Sequence, residues 1–446
     1  MKIFLDVTRL STRIIRSSPS GIDRVEYAYA KHLLESEGAV CVFHAPGFTG
    51  ALRRARALDI LSRVERAWRL DATPEADPSY LALRTWLNSP IDLDAARPVR
   101  IRTAKPWRSL FRDAIFFPLR DVVRAETRLE RWVSRHSGEP AMFFHCSHAR
   151  LHMPNKFKWL ESAGLRSEFF IHDAIPIEFP EFCSHGSFDR HVRRLATVSA
   201  HAALVMVNSP DSRRAIEAAL KERRARVPDI EVLPLAVGAA FANAKCAAGP
   251  RPPVPYFLYV GNIEPRKNLL FLLEVWRRLI ERYRARAPRL VIAGRRAWES
   301  ENIVDVLERS RSLAPFLAEA SDLTDAGLAR LMAYSAALVA PSFSEGFGLP
   351  VVESLAAGAP VVASDIAAHR EVGEGYAVFA DAIDGPAWVA AIEALMDDGS
   401  ELRRERLAKI VAYQPLSWAA HVVAARDLME RCARLAPGRA RRFLGN

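Results

Sequence analysis

Apolar residues along the chain alternate between short continuous runs and helical stripes. Residues 3–7 (Ile-Phe-Leu-Asp-Val) predict a buried strand. A polar loop ends in Ser18-Pro19-Ser20-Gly21, after which Ile22, Val25, Tyr29 and Leu33 recur at helical spacing. Further strands are predicted at Ala39–His44, Ala141–His145, residues 168–172 and residues 203–208, the last followed by a helix start at Ser209-Pro210-Asp211. Residues 50–136 read differently. They are arginine-rich, helix-like and without strand signals, as expected of a basic helical insertion on a first domain.

A Pro/Gly/Ala-rich segment at residues 247–255 interrupts the periodicity and is the predicted linker. Beyond it, strands are predicted at Tyr256–Val260, Arg289–Ala293, Ala337–Ala340 and residues 360–363. Leu272, Val275, Trp276, Leu279 and Tyr283 mark one helix, and Pro350 opens another. The expected organisation is a first domain at residues 1–246 and a second at 247–415, with a C-terminal helical segment at 416–446 packing back on the first. Strands alternating with helices in both halves predict an α/β protein of two Rossmann-like, doubly wound parallel sheets facing a cleft. Ligands of such sheets bind beyond the carboxyl ends of the strands.

Composition changes little in this picture. With 446 residues, half of them apolar and 26% charged, the chain suits two ordinary globular domains. Its first residues meet charge too soon for a signal peptide, and no run of about 18 uncharged apolar residues suggests a membrane span. Five scattered cysteines (Cys41, Cys146, Cys183, Cys246 and Cys432) fit reduced thiols and a cytoplasmic location. The formal charge of +11 calls for an anionic partner, and it concentrates in residues 97–135 and 434–442. No helix-turn-helix, zinc finger or RNA-binding aromatic signature accompanies it, which argues against nucleic acid. Phe111, Ile115, Phe116, Phe117, Leu119, Val122 and Val123 lie among the arginines. Either they complete the first domain's core, or the region rests peripherally on anionic lipid at the inner face of the membrane.

The chemistry is concentrated in two loops of the second half. Pro341-Ser342-Phe343-Ser344-Glu345-Gly346-Phe347-Gly348-Leu349-Pro350-Val351-Val352-Glu353 joins an apolar strand to a helix. Its glycines let backbone amides approach a ligand closely, and the helix N-terminus adds free donors and a positive dipole end. Glu345 and Glu353, eight positions apart, can face one pocket, where carboxylates would grip sugar hydroxyls and amides a phosphate. The plainer reading makes the glycines turn punctuation and Glu353 a partner of the helix dipole. The second loop, Gly261-Asn262-Ile263-Glu264-Pro265-Arg266-Lys267-Asn268, places two cations where a helix dipole mildly disfavours them, which points to a diphosphate clamp rather than a solvated pair.

Together these stretches resemble the family-four retaining glycosyltransferases, through a Glu-x7-Glu motif at Glu345 and Glu353 and an Arg-Lys-Asn loop at Arg266, Lys267 and Asn268. Further matches are Gly294-Arg295-Arg296-Ala297-Trp298, Gly358 to Ser364, Ser417-Trp418, Ser20-Gly21-Ile22-Asp23-Arg24-Val25 and His172-Asp173-Ala174-Ile175-Pro176. The pattern is most similar to bacterial mannosyltransferases of surface polysaccharide assembly. The resemblance implies a GT-B fold whose second domain binds the donor and whose first binds the acceptor. Arg266 and Lys267 would then hold the diphosphate, and the Gly346 loop, through the amides of Phe347, Gly348 and Leu349, would contact sugar and phosphate. Glu353 would bind the ribose and Glu345 the donor sugar. Gly21 and Asp173 would belong to the acceptor side of the cleft. His172, at a strand end, would position the transferred sugar or hydrogen-bond its hydroxyls. The chain departs from the family at Ala367-Ala368-His369-Arg370-Glu371-Val372, where Leu-Pro-Glu more often precedes the valine.

What the resemblance implies is retaining, metal-independent transfer of a hexose, mannose from GDP-mannose first and a UDP-sugar second, to a glycan or lipid-linked glycan, with no cofactor. Asp92-Leu93-Asp94 superficially resembles a metal-binding acid pair, but it falls inside the arginine-rich segment. His145, His148 and His152 lack zinc-like spacing. A dinucleotide oxidoreductase is disfavoured because no Gly-x-Gly-x-x-Gly follows the first strand. A non-catalytic nucleotide-sugar-binding protein would share every donor motif.

Overall fold

The computed structural model describes residues 1–36, 39–45, 48–102, 141–245 and 251–434, arranged as two seven-stranded sheets. The chain lays β1 (Lys2–Asp6), β2 (Ala39–His44) and β3 (Thr49–Leu52) into the first sheet and β4 (Val99–Ile101) into the second. It returns to the first for β5 (Ala141–His145), β6 (Arg166–Ile171), β7 (Ala202–Val207) and β8 (Asp229–Val232). The second sheet is completed by β9 (Tyr256–Val260), β10 (Arg289–Ala293), β11 (Leu317–Ala320), β12 (Ala337–Ala340), β13 (Val361–Ser364) and β14 (Val378–Ala380).

The first sheet has the order β3-β2-β1-β5-β6-β7-β8 and the second β14-β13-β12-β9-β10-β11-β4. All pairings are parallel except β2 with β3. Helices cover both faces, so the central strands are apolar throughout: Phe257, Leu258, Leu290, Val291 and Ile292 are fully buried. Strand order reverses between β1 and β5 in one sheet and between β9 and β12 in the other, and a doubly wound sheet opens a crevice at such a reversal.

The C-terminal helix Trp418–Arg434 lies on the first domain. His421 Nδ1 lies 2.8 Å from the Pro234 carbonyl, which can only accept, so Nε2 accepts from the Tyr29 hydroxyl at 2.8 Å. Burial pushes His421 down to about 4 and keeps this link neutral.

Residues 50–136 need correction. Thr49–Leu52 pairs antiparallel with β2, and Val99–Ile101 pairs with β11 as an edge of the second sheet. Between them the helices Arg54–Trp68 and Pro78–Asn88 carry the chain across to the second domain. A three-residue strand with an arginine at its centre has too few positions for an alternation to register. Tertiary contacts hold it instead: Arg100 lies 3.5 Å from Glu319, and buried Arg289 places its guanidinium 4.5 Å from the Trp86 ring centroid while donating to the Ser89 carbonyl at 2.8 Å. The basic, apolar stretch from Phe111 to Val123 and most of the proposed linker's start, residues 246–250, lie outside the described residues.

Asp77 fastens this strap. Fully buried, it accepts from the amides of Ser79 (2.9 Å) and Tyr80 (3.4 Å) at the start of Pro78–Asn88. It also accepts from the Thr324 amide (2.7 Å) and hydroxyl (2.8 Å) at the start of Asp325–Tyr334. One carboxylate thus serves two helix N-termini. Asp77→Ala is expected to lower stability by about 2–4 kcal/mol in urea unfolding, because four buried donors lose their acceptor, with Asp77→Asn recovering part of it. A loss within about 0.5 kcal/mol, the range of an ordinary surface change, would show that the strap is not held there.

Candidate active site

β9 and β12 are neighbours in the second sheet, so the loops that follow them emerge side by side at the point where strand order reverses. The β9 loop ends in a tight turn, Pro265–Lys267, whose next residue, Asn268, adopts a left-handed conformation with φ of 56°. Asn268 Nδ2 donates to the carbonyls of Pro341 (3.1 Å) and Ala382 (2.8 Å), which ties the β9 loop to the β12 loop. Gly294, after β10, must be glycine because a Cβ there would fall 1.7 Å from the Gly261 carbonyl oxygen.

Arg266 and Lys267 both converge on Glu345. Arg266 donates to Glu345 at 2.9 Å, to the Ser344 carbonyl at 2.5 Å and to Glu264 at 2.8 Å, while the Lys267 ammonium pairs with the other oxygen of Glu345. Ser342 donates its hydroxyl to that oxygen at 2.7 Å. Burial alone would raise the pKa of Glu345, but Lys267 and Arg266 outweigh it and hold the carboxyl well below the usual range. Glu345 is therefore ionised, and with Glu264 it balances the two cations.

Gly346 is one point of contact between the domains. Its carbonyl accepts from Ser209 (2.9 Å) and Ser212 (3.2 Å) of the first domain, and a Cβ on it would come within 2.5 Å of the His172 carbonyl oxygen. Phe343 of the same loop stacks on Phe182 with ring centroids 4.9 Å apart. Phe347 is buried. Gly348, with φ of 91°, starts the helix Leu349–Ala356 and sits against His369. Gly21 faces Leu349 across the junction, where a Cβ would lie 3.0 Å from the leucine's Cδ1. Gly21 opens the helix Gly21–Glu35, which Ser20 and Asp23 cap reciprocally.

Glu353 stands apart from Glu345 and shares no partner with it among the described residues. It is buried, 3.5 Å from Arg24 of the first domain, and Arg24 is held bidentately by Asp325. Burial raises Glu353 to about 7 against the pull of Arg24.

His172 is buried at the end of β6, and its Nε2 donates to the Cys146 carbonyl at 2.8 Å, leaving Nδ1 as the acceptor. Burial lowers it to about 4, although the Cys146 carbonyl and Asp173 oppose the shift, so the ring is neutral near pH 7. Asp173 accepts from the Ile175 amide at 3.2 Å. Asp92 closes an exposed turn by accepting from the Asp94 amide at 3.1 Å. Sequence reasoning singled out neither Arg24, Asp325, Ser212 nor His369 as a site residue. Ser209 and Arg24 did stand inside motifs, but nothing in a linear sequence shows which residue of the other domain each will meet.

Glu353 carries a pH signature. Its pKa is raised on folding, so the native state favours its proton, and the stability this contributes is present below about 4.5 and lost as pH rises through about 7. Relative to Glu353→Gln, the natural protein is expected to lose on the order of 3 kcal/mol of stability between pH 4 and pH 8, read from paired urea titrations. Parallel pH profiles for the two proteins would mean that Glu353 is not desolvated as described.

Residues 254–398 match the family model described as Glycosyl transferases group 1. O-antigen chain mannosyltransferase B of Escherichia coli is 37% identical over 144 residues, which are 32% of this chain and 37% of that protein. The serotype-specific mannosyltransferase WbdA of Escherichia coli is 27% identical over 235 residues, 49% of this chain and 28% of that protein. The chain thus spans well under half the length of these curated relatives. Among solved structures, Anabaena HepE in complex with UDP and glucose superposes with a TM-score of 0.58 at 15% identity, covering 96% of this chain and 99% of that one. Sucrose-phosphate synthase from Thermosynechococcus elongatus gives a TM-score of 0.57 at 16% identity, covering 97% and 98%. These two likenesses concern the fold, which is GT-B: two Rossmann-like domains. Residues 254–398, within the second domain, match a group 1 glycosyltransferase domain.

Proposed function

We propose that the chain is a retaining hexosyltransferase that moves mannose from GDP-mannose to a hydroxyl of a glycan or lipid-linked glycan. The observation that carries this reading is the convergence of Arg266 and Lys267 on Glu345, at the β9–β12 reversal of a group 1 glycosyltransferase domain. Mannose is preferred because both relatives described above are named as mannosyltransferases. In the sequence, the cationic excess of residues 97–135 supports work at the inner face of a membrane, and among the described residues no helix is long and apolar enough to cross one.

In this reading the donor's diphosphate takes the place of the Glu345 carboxylate on the two cations, freeing Glu345 for the hydroxyls of the sugar. Glu353 binds the ribose, and the amides of the Gly346–Leu349 loop contact phosphate and sugar. As the bond from the anomeric carbon to the phosphate oxygen breaks, its electron pair stays on the diphosphate, where Arg266 and Lys267 stabilise the new charge more than they stabilise the intact donor. The acceptor hydroxyl adds on the same face, and its proton goes to the departing phosphate oxygen. His172, neutral and with Nε2 committed to Cys146, positions a sugar hydroxyl through Nδ1. The cation pair does the work a divalent metal does elsewhere, so the reaction is metal-independent.

A thermal-shift panel of GDP, UDP, ADP and TDP tests the donor, since a nucleotide at a hundredfold excess over its Kd adds roughly 2.7 kcal/mol. GDP is expected to stabilise most, and mannosyl transfer to survive excess chelator. Stabilisation by UDP alone moves the donor to a UDP-sugar, while no stabilisation by any of the four sinks the reading.

Arg266→Ala and Lys267→Ala are each expected to cost about tenfold to a hundredfold in donor affinity or rate, the worth of one charge-assisted contact. Glu345→Gln should depress turnover while leaving nucleoside diphosphate affinity equal or tighter, because it removes the competitor for the two cations. Glu353→Gln should weaken nucleotide binding. The reverse pattern for the two glutamates in kcat and Kd would overturn their assignment.

A further inference from the structure

The first sheet has its own reversal of strand order, between β1 and β5, and a cavity of about 570 Å³ opens there. Its walls come from the loops after β1, β2 and β5, and Arg194 closes one side. Four arginines line it, Arg9, Arg13, Arg150 and Arg194, and no aspartate or glutamate does so among the described residues. Carboxylates lie near: Asp173 acts on Arg194 at longer range, and Asp23 and Asp6 are already engaged. Asp23 accepts from Arg9 at 2.6 Å and from Arg13 at 2.8 Å, and Asp6 is buried 2.9 Å from His44 and 3.2 Å from His145. One carboxylate against Arg9 and Arg13 leaves one positive charge over, and Arg150 and Arg194 form no salt bridge among the described residues.

Polar atoms around the cavity are also without partners. Ser147 Oγ, His152 Nδ1 and Arg194 Nε are buried and make no hydrogen bond. Because these atoms are closed to solvent while the cavity is open to it, they burden the cavity wall, at about 1–3 kcal/mol each, rather than face a ligand. The loop after β5 is strained as well. His148 and Arg150 both have positive φ, 61° and 59°, a conformation that non-glycine side chains disfavour and that clusters at functional sites. The cations of the cavity make themselves felt: burial first, then Arg194 and Arg150, lower the pKa of His152.

We propose that this cavity holds a phosphate or diphosphate group of the acceptor, with Arg150 and Arg194 as its ligands. Phosphate fits better than a carboxylate because two separate guanidiniums can each engage a different pair of its oxygens, whereas a carboxylate has only one pair. The site adjoins the transfer centre. The His148 ring lies 5.1 Å from that of His172, whose carbonyl oxygen abuts Gly346 of the donor loop. An acceptor anchored by its phosphate at Arg150 and Arg194 would extend past His148 and His172 towards the donor. This assignment of the acceptor rests on the transferase reading above, but its binding test does not require turnover.

Inorganic phosphate is the probe, titrated calorimetrically into the full chain carrying Arg266→Ala and Lys267→Ala, which silences the donor-side cations. Phosphate binding is expected to persist there and to weaken at least tenfold on adding Arg150→Asn, which removes the charge and keeps a residue tolerant of positive φ. Arg194→Gln should do the same, and the exposed Arg150 keeps the test valid if the half-buried Arg194 variant unfolds. Competition by a soluble hexose phosphate assigns the group to a free phosphorylated sugar, and competition by vesicles containing a polyprenyl diphosphate assigns it to a lipid-linked acceptor. Loss of all phosphate binding in the Arg266/Lys267 variant, or binding indifferent to Arg150→Asn, overturns the proposal. Competition only by a uronic acid overturns it too. If phosphate binds at Arg150 but no sugar is transferred, the transferase reading fails and the anion site stands.

Discussion

Two cations side by side at the carboxyl end of a buried strand need an opposite charge close by, and much of the second domain's loop structure meets that need. Arg266 and Lys267 both pair with Glu345, a residue 78 positions further along the chain from Lys267. Desolvating a carboxylate is costly, and here direct contacts with two cations more than offset it. Asn268 and Ser342 hold the two loops in register, so the charges meet without a long search through side-chain conformations. The same arrangement makes the site exchangeable, since an anionic ligand that outcompetes one carboxylate inherits a ready set of donors.

Contact between the domains combines close backbone approach with buried apolar side chains. Gly346 brings its carbonyl to two serines of the first domain and leaves no room for a Cβ beside His172, and Gly21 does the corresponding thing beside Leu349. Arg24 adds an ion pair with Asp325 and a longer contact to Glu353. Burial and charge thus act in opposite directions on the two glutamates of one motif: Glu345 is ionised by its partners, and Glu353 is drawn towards its neutral form by desolvation. The strap from Pro74 to Ile101 adds a covalent crossing between the domains, fastened by Asp77 and Arg289.

Both sheets place their ligand-facing loops where strand order reverses, and the two crevices are charged alike. In the second, the cations are answered internally by glutamates. In the first, Arg150 and Arg194 form no salt bridge among the described residues, and Arg194 meets only the longer-range field of Asp173. The difference is chemical: one crevice is self-neutralised, while the other keeps a field for an anion.

Much of this was determined by the sequence alone, because the signals are local. Central strands such as Tyr256–Val260 are continuous apolar runs, the helices carry their own caps and stripes, and the loops with Arg266, Lys267, Glu345 and Gly346 sit where a doubly wound sheet binds ligands. The short outer strands β3, β4, β8, β11 and β14 were not legible, since they are held by neighbours distant in the chain rather than marked by a clear signal of their own. Only the tertiary structure decided that Glu345 and Glu353 lie among different partners, that Arg24 reaches across to the second, and that residues 74–101 belong against the second domain. Only it brought Arg150, Arg194, Ser147 and His152 around one cavity. Each of these depends on which distant groups share a desolvated space, and the energy of a charge there is set by those neighbours rather than by its place in the chain.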